Sequence, residues 1–82
     1  MKDVREAAIV AMAEIGGDDA ARAVAPALHD DDVAIREEAV EALGDIGGEV
    51  AIRFLQQALS DHHRPVREAA EDNLVKLWRR ER

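Results

Sequence analysis

The chain contains no cysteine and almost no aromatic residue; Phe54 and Trp78 are the only two in 82 residues. Without cysteine there is no disulfide and no thiolate metal site. This absence is compatible with a reducing compartment, and we expect a cytoplasmic location. Because aromatic side chains are scarce, alanine, valine, leucine and isoleucine must form the core, which favours closely packed helices.

Long apolar runs are also missing. No stretch approaches the ~20 apolar residues that a membrane-spanning helix needs, and charged residues interrupt the first 15 positions, where a signal peptide would be apolar. The formal net charge is −7 and the sequence pI is about 4.8. Such a surface repels phosphate backbones and anionic lipids, so we expect neither nucleic acid nor a membrane as the main partner.

Residue types typical of an active site are few. Ser60 is the only hydroxyl side chain, and carboxylates fall on open helix faces, where nothing separates their pKa values as acid–base catalysis requires. His62 and His63 are adjacent in a predicted turn, with His29 in the preceding one, and no His-Glu-x-x-His spacing is present. We therefore expect no catalytic residue, no metal and no cofactor, in a protein that is not an enzyme.

What the chain does contain is an internal repeat. The segment Val33–Gly48 recurs upstream from Val4 to Gly17 and downstream from Val66 to Leu77. A fixed period of this size indicates a stacked-repeat architecture, and we expect one domain spanning residues 1–82. Equivalent residues are 31 positions apart without insertion or deletion, as in Arg5, Arg36 and Arg67.

The spacing of apolar residues and turn signals predicts an all-α protein with about five antiparallel helices. The predicted helices are Met1–Ile15, Asp18 or Asp19 to Leu28, Val33–Ile46, Glu49–Leu59 and Pro65–Arg80, the last continuing into residues 81–82. In the first and third helices, the positions predicted to face the core are Val4, Ala8, Ala11, Met12 and Ile15, and Ile35, Ala39, Ala42, Leu43 and Ile46.

Aspartates occur where helix N-caps are expected. Asp3 precedes a glutamate by three residues, as in a capping box, and Asp18 or Asp19 would cap the second helix. Residues 30–32 are all aspartate and would form the next turn and the N-cap of the third helix.

Pro26 and Gly44 lie inside predicted helices, although proline and glycine are unfavourable in a helix interior. Pro26 lacks the N–H that a helix interior uses, so it predicts a bend or a restart of the second helix. Glycine is less favourable than alanine in a helix by about 1 kcal/mol. Gly44 therefore predicts close approach of a neighbouring helix.

The repeat carries a recognisable motif, found in Leu28–Arg36, Ala39, Ala42–Gly44 and Ile46–Gly47, and again in Ala58–Asp61 with Val66–Arg67. This pattern resembles the HEAT-like repeat of the phycobilisome-lyase type over nearly the whole chain. The resemblance implies a short right-handed HEAT-like α-solenoid with a half-repeat at 1–16, a repeat at 17–47 and a closing repeat at 48–82. It also implies that the helices bearing the Val-Arg motif line the concave face.

Arginine and aspartate recur at fixed positions of this motif: Asp30 and Asp61 in the turns, Arg36 and Arg67 in the helices. The resemblance implies a structural Asp–Arg ladder that joins turn to helix and one repeat to the next. The alternative, arginines that grip an anionic ligand, would need exposed and convergent side chains.

Further rows of residues recur on the Val-Arg helices, four positions apart and thus on one helix face. The resemblance places them on the concave side: Glu6, Val10 and Glu14; Glu37, Glu41 and Asp45; Glu68, Asp72 and Lys76. Two interpretations remain open, a solvated charged face and an acidic surface that binds a basic segment of another protein. We predict a non-enzymatic protein–protein interaction scaffold that uses this face.

The two ends of the predicted stack differ. The first helix is apolar around most of its circumference, so it either tolerates exposed small residues or docks onto a partner or a second copy, giving a homodimer. Trp78 replaces the glycine of earlier repeats, and we expect the last helix to close the stack. Two alternatives for function remain: a relative or subunit of a bilin lyase or isomerase, implied by the resemblance, and a structural fragment or engineered repeat protein.

Overall fold

The computed structural model describes residues 1–81, with side chains through residue 80; Arg82, in the predicted continuation of the last helix, lies outside the described residues. The chain forms α1 (Lys2–Ile15), α2 (Gly17–Val24), a 3₁₀ helix (Ala25–His29), α3 (Val33–Ile46), α4 (Gly48–Ala58) and α5 (Arg64–Glu81). The prediction of a short all-α solenoid with five helices is confirmed. No helix within residues 1–81 has both the length and the apolarity to cross a bilayer.

The helices form two layers. One contains α1, α3 and α5, with α3 packed against both neighbours, and the other contains α2 with the 3₁₀ helix and α4. Because α3 contacts every other helix, it is the centre of the fold. Its buried residues are Ile35, Ala39, Val40, Ala42, Leu43 and Gly44.

The break predicted at Pro26 is a change of helix type. The α-helical hydrogen bonding of α2 ends at Val24, and a 3₁₀ helix begins at Ala25 with proline in its first turn. Proline is tolerated in the first turn of a helix, because the N–H that it lacks would have no partner within that helix.

One of the predicted aspartate caps is confirmed. The Asp32 side chain accepts a hydrogen bond of 2.9 Å from the backbone N–H of Ala34, at the start of α3. The predicted caps at Asp3 and at Asp18 or Asp19 are wrong, because α1 and α2 begin earlier and these residues lie inside their first turns. Gly16, with φ of 73°, reverses the chain so tightly that α2 starts without a side-chain cap.

The predicted buried face of α1 is largely wrong. Ile9 is the buried residue of this helix, whereas Val4 is 62% exposed and Ile15 is 71% exposed. Their equivalents in α3, Ile35 and Ile46, belong to a helix covered by α2 and the 3₁₀ helix, which precede it. In the structure, α1 has no such pair of helices before it, so the same sequence pattern meets solvent.

The close approach predicted at Gly44 is confirmed, and the neighbour is α5. A Cβ atom added at Gly44 would overlap the side chain of Asn73. Asn73 is the one buried polar residue among those described, and its Nδ2 donates a 2.8 Å hydrogen bond to the carbonyl oxygen of Ala69. The glycine therefore sets the distance between α3 and α5.

Replacing Gly44 with alanine should lower the free energy of unfolding by about 1–3 kcal/mol, since the added methyl overpacks a seam that cannot widen freely. Urea denaturation of Gly44→Ala, Asn73→Ala and the double variant would measure this. In the Asn73→Ala background, the overlapping amide is gone, so the loss caused by Gly44→Ala should fall by more than half. An equal loss in both backgrounds would contradict the proposed contact.

Candidate functional site

Four of the residues predicted for the concave face meet in one groove, which we call the α1–α3 furrow. Val10, Glu14, Glu41 and Asp45 line it, and its volume is about 270 Å³. The rest of the lining is Ile9, Ala13, Glu38 and Ala42. The furrow thus has an apolar floor and a rim that carries four carboxylates.

Glu38 is a rim residue that the repeat pattern did not identify. Its equivalents in the other copies are Ala7 and Ala69, so it belongs to no recurring row. The spacing of Glu38, Glu41 and Asp45, three and then four residues, puts them on one helix face and is the signal that could have found it.

Two more predicted residues, Asp72 and Lys76, lie in a different depression on α5, shared with Val75, Arg79 and Arg80 and about 490 Å³ in volume. We call this the basic depression. One of its cations lies beside the furrow: Lys76 Nζ is 3.7 Å from Asp45 Oδ1. Along the equivalent positions Glu14, Asp45 and Lys76, the charge therefore changes sign from α1 and α3 to α5.

The remaining predicted residues, Glu6, Glu37 and Glu68, line neither depression. Glu6 Oε1 is 4.0 Å from Lys2 Nζ, and Glu68 Oε2 is 3.4 Å from Arg64 Nε, in both cases one helical turn away. Exposed pairs of this kind contribute little to stability. The structure therefore brings part of the predicted set together in the two depressions. The row nearest the helix N-termini, formed by Glu6, Glu37 and Glu68, lies outside both.

The Asp–Arg ladder residues are joined by short contacts. Arg36 Nε donates a 2.9 Å hydrogen bond to Asp61 Oδ2 of the next turn, and Arg36 Nη1 donates at 2.7 Å to the carbonyl oxygen of Asp30 in its own turn. Arg5 Nε lies 3.0 Å from Asp30 Oδ2, one repeat earlier. Arg5 and Arg36 thus each reach forward to the aspartate of the following turn.

Arg67 repeats only half of this arrangement. Its Nη1 donates to the carbonyl oxygens of Asp61 and His62 at 2.8 and 3.0 Å. Within the described part of the chain, no following turn offers Arg67 a carboxylate. These contacts engage the ladder arginines with the backbone and carboxylates of the protein itself.

Hydrogen bonds lower the pKa of two turn carboxyls. Burial by itself raises the pKa of Asp61, but the backbone N–H of His63 and the Arg36 guanidinium outweigh it, so the pKa lies below the usual 3.8. The backbone N–H of Ala34 lowers the pKa of Asp32, with a smaller contribution from Lys2. Both aspartates are therefore held in the ionised form at neutral pH.

The histidines lie at the edge formed by the two turns. His29 and His62 line a groove of about 400 Å³ with Asp30, Asp31 and Asp61, and His63 Nδ1 lies 3.1 Å from Arg36 Nη2. Because a guanidinium only donates, His63 Nδ1 accepts this bond. Among the described side chains, those of residues 1–80, no group of three or more acidic or histidine residues has the geometry to hold a metal ion.

Loss of the central ladder contact should be costly. Arg36 and Asp61 side chains are 14% and 10% exposed, so Arg36→Gln leaves a nearly buried carboxylate without its cation and should lower the free energy of unfolding by about 2–3 kcal/mol. Arg5→Gln is the matched control, because Arg5 is 44% exposed and its pair should contribute less than about 1 kcal/mol. Equal losses by urea denaturation would show that burial of the pair does not matter.

The lowered pKa of Asp61 predicts acid sensitivity. A carboxyl with a native pKa below its unfolded value of 3.8 stabilises the fold fully at neutral pH, and this stabilisation is lost as the pH falls through 3.8 towards the native pKa. Asp61→Asn should therefore be less stable than the unmodified chain at pH 7, and should lose less stability between pH 5 and pH 3. Urea midpoints across this range would test the difference; parallel curves for the two proteins would contradict it.

Comparison with known protein families gives one result that agrees with this architecture. A comparison with curated proteins and with solved structures found no match. The family model described as HEAT repeats matches residues 2–75, which covers most of the chain and all of the furrow and ladder residues. Together with the stacked helices and the repeated Arg–Asp contacts, this match shows that the chain belongs to the HEAT-repeat family.

Proposed function

We propose that this chain is a non-enzymatic protein-interaction module and that its α1–α3 furrow binds a basic segment of another protein. HEAT repeats commonly mediate protein–protein interaction. The observation that supports the proposal here is the composition of the furrow, where Ile9, Ala13 and Ala42 form an apolar floor below a rim of carboxylates. A partner segment that places an aliphatic side chain on the floor and cationic groups at the rim would complement both the apolar and the acidic part of the furrow.

The distribution of charge favours one orientation of the partner. Lys76 stands beside Asp45, and Arg79 and Arg80 lie beyond it on α5. Cationic groups of a partner are therefore attracted to the α1 side of the furrow, near Glu14, and repelled from α5. At 0.1 M salt, such attraction extends over about 10 Å, which is comparable to the distance between neighbouring helices.

The size of the surface sets the expected strength. Two helices of 14 residues each are about 21 Å long and about 10 Å apart, so the furrow offers well under half of the ~800 Å² per partner of a standard interface. We expect binding to be weak, in the micromolar range or above. Because the net charge is −7, we propose neither nucleic acid nor anionic membrane as partner, and a cytoplasmic location remains part of the proposal.

The enzyme-class alternative is a relative or subunit of a bilin lyase or isomerase. It is supported by the resemblance of the Leu28–Gly47 motif to the phycobilisome-lyase type of repeat, and not by a particular feature of the furrow. Titrating a bilin into the protein and recording its absorption spectrum separates the two functions, because an interaction module that binds basic segments should leave the spectrum unchanged.

A charge-reversal experiment tests the furrow. The probe is a fluorescein-labelled 14-residue peptide of lysine and leucine at helical spacing, with a peptide of glutamate and leucine as its acidic counterpart. Glu14→Lys/Glu41→Lys should weaken binding of the basic peptide by about 10-fold or more, equivalent to about 1.4 kcal/mol, and the acidic peptide should not bind the unmodified chain. Fluorescence anisotropy at low salt measures both.

The matched control is Asp19→Lys/Glu49→Lys, which makes the same change in net charge on the exposed surfaces of α2 and α4. This control should weaken binding of the basic peptide less than twofold. It also removes one exposed ion pair from each helix, Arg22–Asp19 in α2 and Arg53–Glu49 in α4. If the control and the furrow variant lose affinity equally, the basic peptide responds to net charge alone and the furrow is not the binding site. Circular dichroism melts would establish that all variants are folded.

A further inference from the structure

The exposed apolar side chains concentrate at the two ends of the stack. Met1, Val4 and Ile15 are exposed on α1, and Val75, at 46%, is exposed on α5. Ala7, Ala8 and Ala11 extend the exposed apolar surface of α1. These surfaces belong to the first and last helices of the same layer, each of which has a neighbouring helix of that layer on one side only in the described structure.

Inside the molecule, neighbouring helices of this layer meet in one register. Gly44 of α3 meets Asn73 of α5, and Asp45 of α3 meets Lys76 of α5. One repeat earlier, Ala13 of α1 lines the furrow together with Ala42 of α3. Ala13 and Gly44 are equivalent residues, as are Ala42 and Asn73, so both seams join the same two repeat positions.

The same register can be continued past α5. The residue equivalent to Gly44 is Val75, and the residue equivalent to Asn73 is Ala11 of α1. Both are exposed. An α1 helix placed beyond α5 in the internal register would therefore set Ala11 against Val75, a contact between a small and a medium-sized apolar side chain.

The charges also match at such a junction. In the seam between α3 and α5, Asp45 is paired with Lys76. The next pair in the series is Lys76 with Glu14 of the added α1, which again has opposite charges. By contrast, Glu14 and Asp45 in the seam between α1 and α3 have like charges.

We propose that copies of this chain associate head to tail, with α5 of one copy packed against α1 of the next in the register that the repeat uses internally. The two contacting surfaces differ, so the contact is heterologous and does not close at a dimer. It differs from a symmetric dimer through two α1 helices, which would leave Val75 exposed. The occupant of the α1 surface around Ala11 is then a second copy of the chain, whereas Val4 and Ile15, whose equivalents in α3 are covered by the second layer, lie outside this contact.

The association should be weak. One helix pair buries much less than the ~800 Å² per partner of a standard interface, and copies with a net charge of −7 repel one another. Sedimentation velocity should therefore show a weight-average sedimentation coefficient that rises steadily between 10 µM and 1 mM, without a plateau at the dimer.

The test uses one variant at each end. Ala11→Glu blocks the α1 surface and Val75→Glu blocks the α5 surface, and both side chains are exposed, so the fold should be retained. Each variant alone should remain a monomer at 1 mM. A one-to-one mixture should recover a dimer, because each variant retains the intact surface that the other lacks, and should form no larger species.

The matched control is Ala23→Glu, at an exposed alanine in α2 that lies one helical turn from Asp19, as Ala11 lies one turn from Glu14. It adds the same charge and should associate like the unmodified chain. The proposal is overturned if the unmodified chain is monomeric at 1 mM, if Val75→Glu alone still dimerises, as a symmetric α1 contact predicts, or if the mixture stays monomeric. None of these variants alters a furrow carboxylate and the sedimentation samples contain no peptide, so the result does not depend on whether the furrow binds a basic segment.

Discussion

The distance between α1, α3 and α5 is the constraint on which the other features depend. Ala13 and Ala42 line the seam between α1 and α3, and in the seam between α3 and α5 no side chain fits at Gly44 because Asn73 occupies the space. This short separation brings the turn before α5 within reach of α3, so Arg36 can bind Asp61 while it also binds the carbonyl oxygen of Asp30. The close packing of these helices and the Asp–Arg ladder therefore both depend on the short distance between neighbouring helices.

The ladder explains how a small apolar core can specify one repeat register. Arg36 donates to carbonyl oxygens of its own turn, as Arg67 does in the next one, and the Nε of Arg36 is left to bind the aspartate of the following turn. Sliding one repeat along its neighbour would separate the charges of Arg36 and Asp61 within a partly buried site, which is energetically unfavourable. The apolar contacts favour association of the helices, and the Arg36–Asp61 pair favours this particular alignment.

Sequence periodicity predicted α3 well because both of its neighbours are also repeats, so its pattern reports a fully packed environment. The same reasoning misplaced the core face of α1, where Val4 and Ile15 are exposed. Equivalent sequence implies equivalent burial only where the surrounding helices are equivalent. Glu38 was missed for the opposite reason: it occurs in one copy only, and an individual feature of one repeat is invisible to a search for what recurs.

The furrow and the ends of the stack share α1, and this couples the two proposals. Glu14 belongs to the furrow rim, yet it is also the residue that the repeat register would place beside Lys76 of a preceding copy. Stacking would bring the basic depression, with Arg79 and Arg80, next to the α1 side of the furrow. The negative potential that attracts a basic segment would then fall, so head-to-tail association and peptide binding should oppose each other, and reciprocally so because both are equilibria of the same chain.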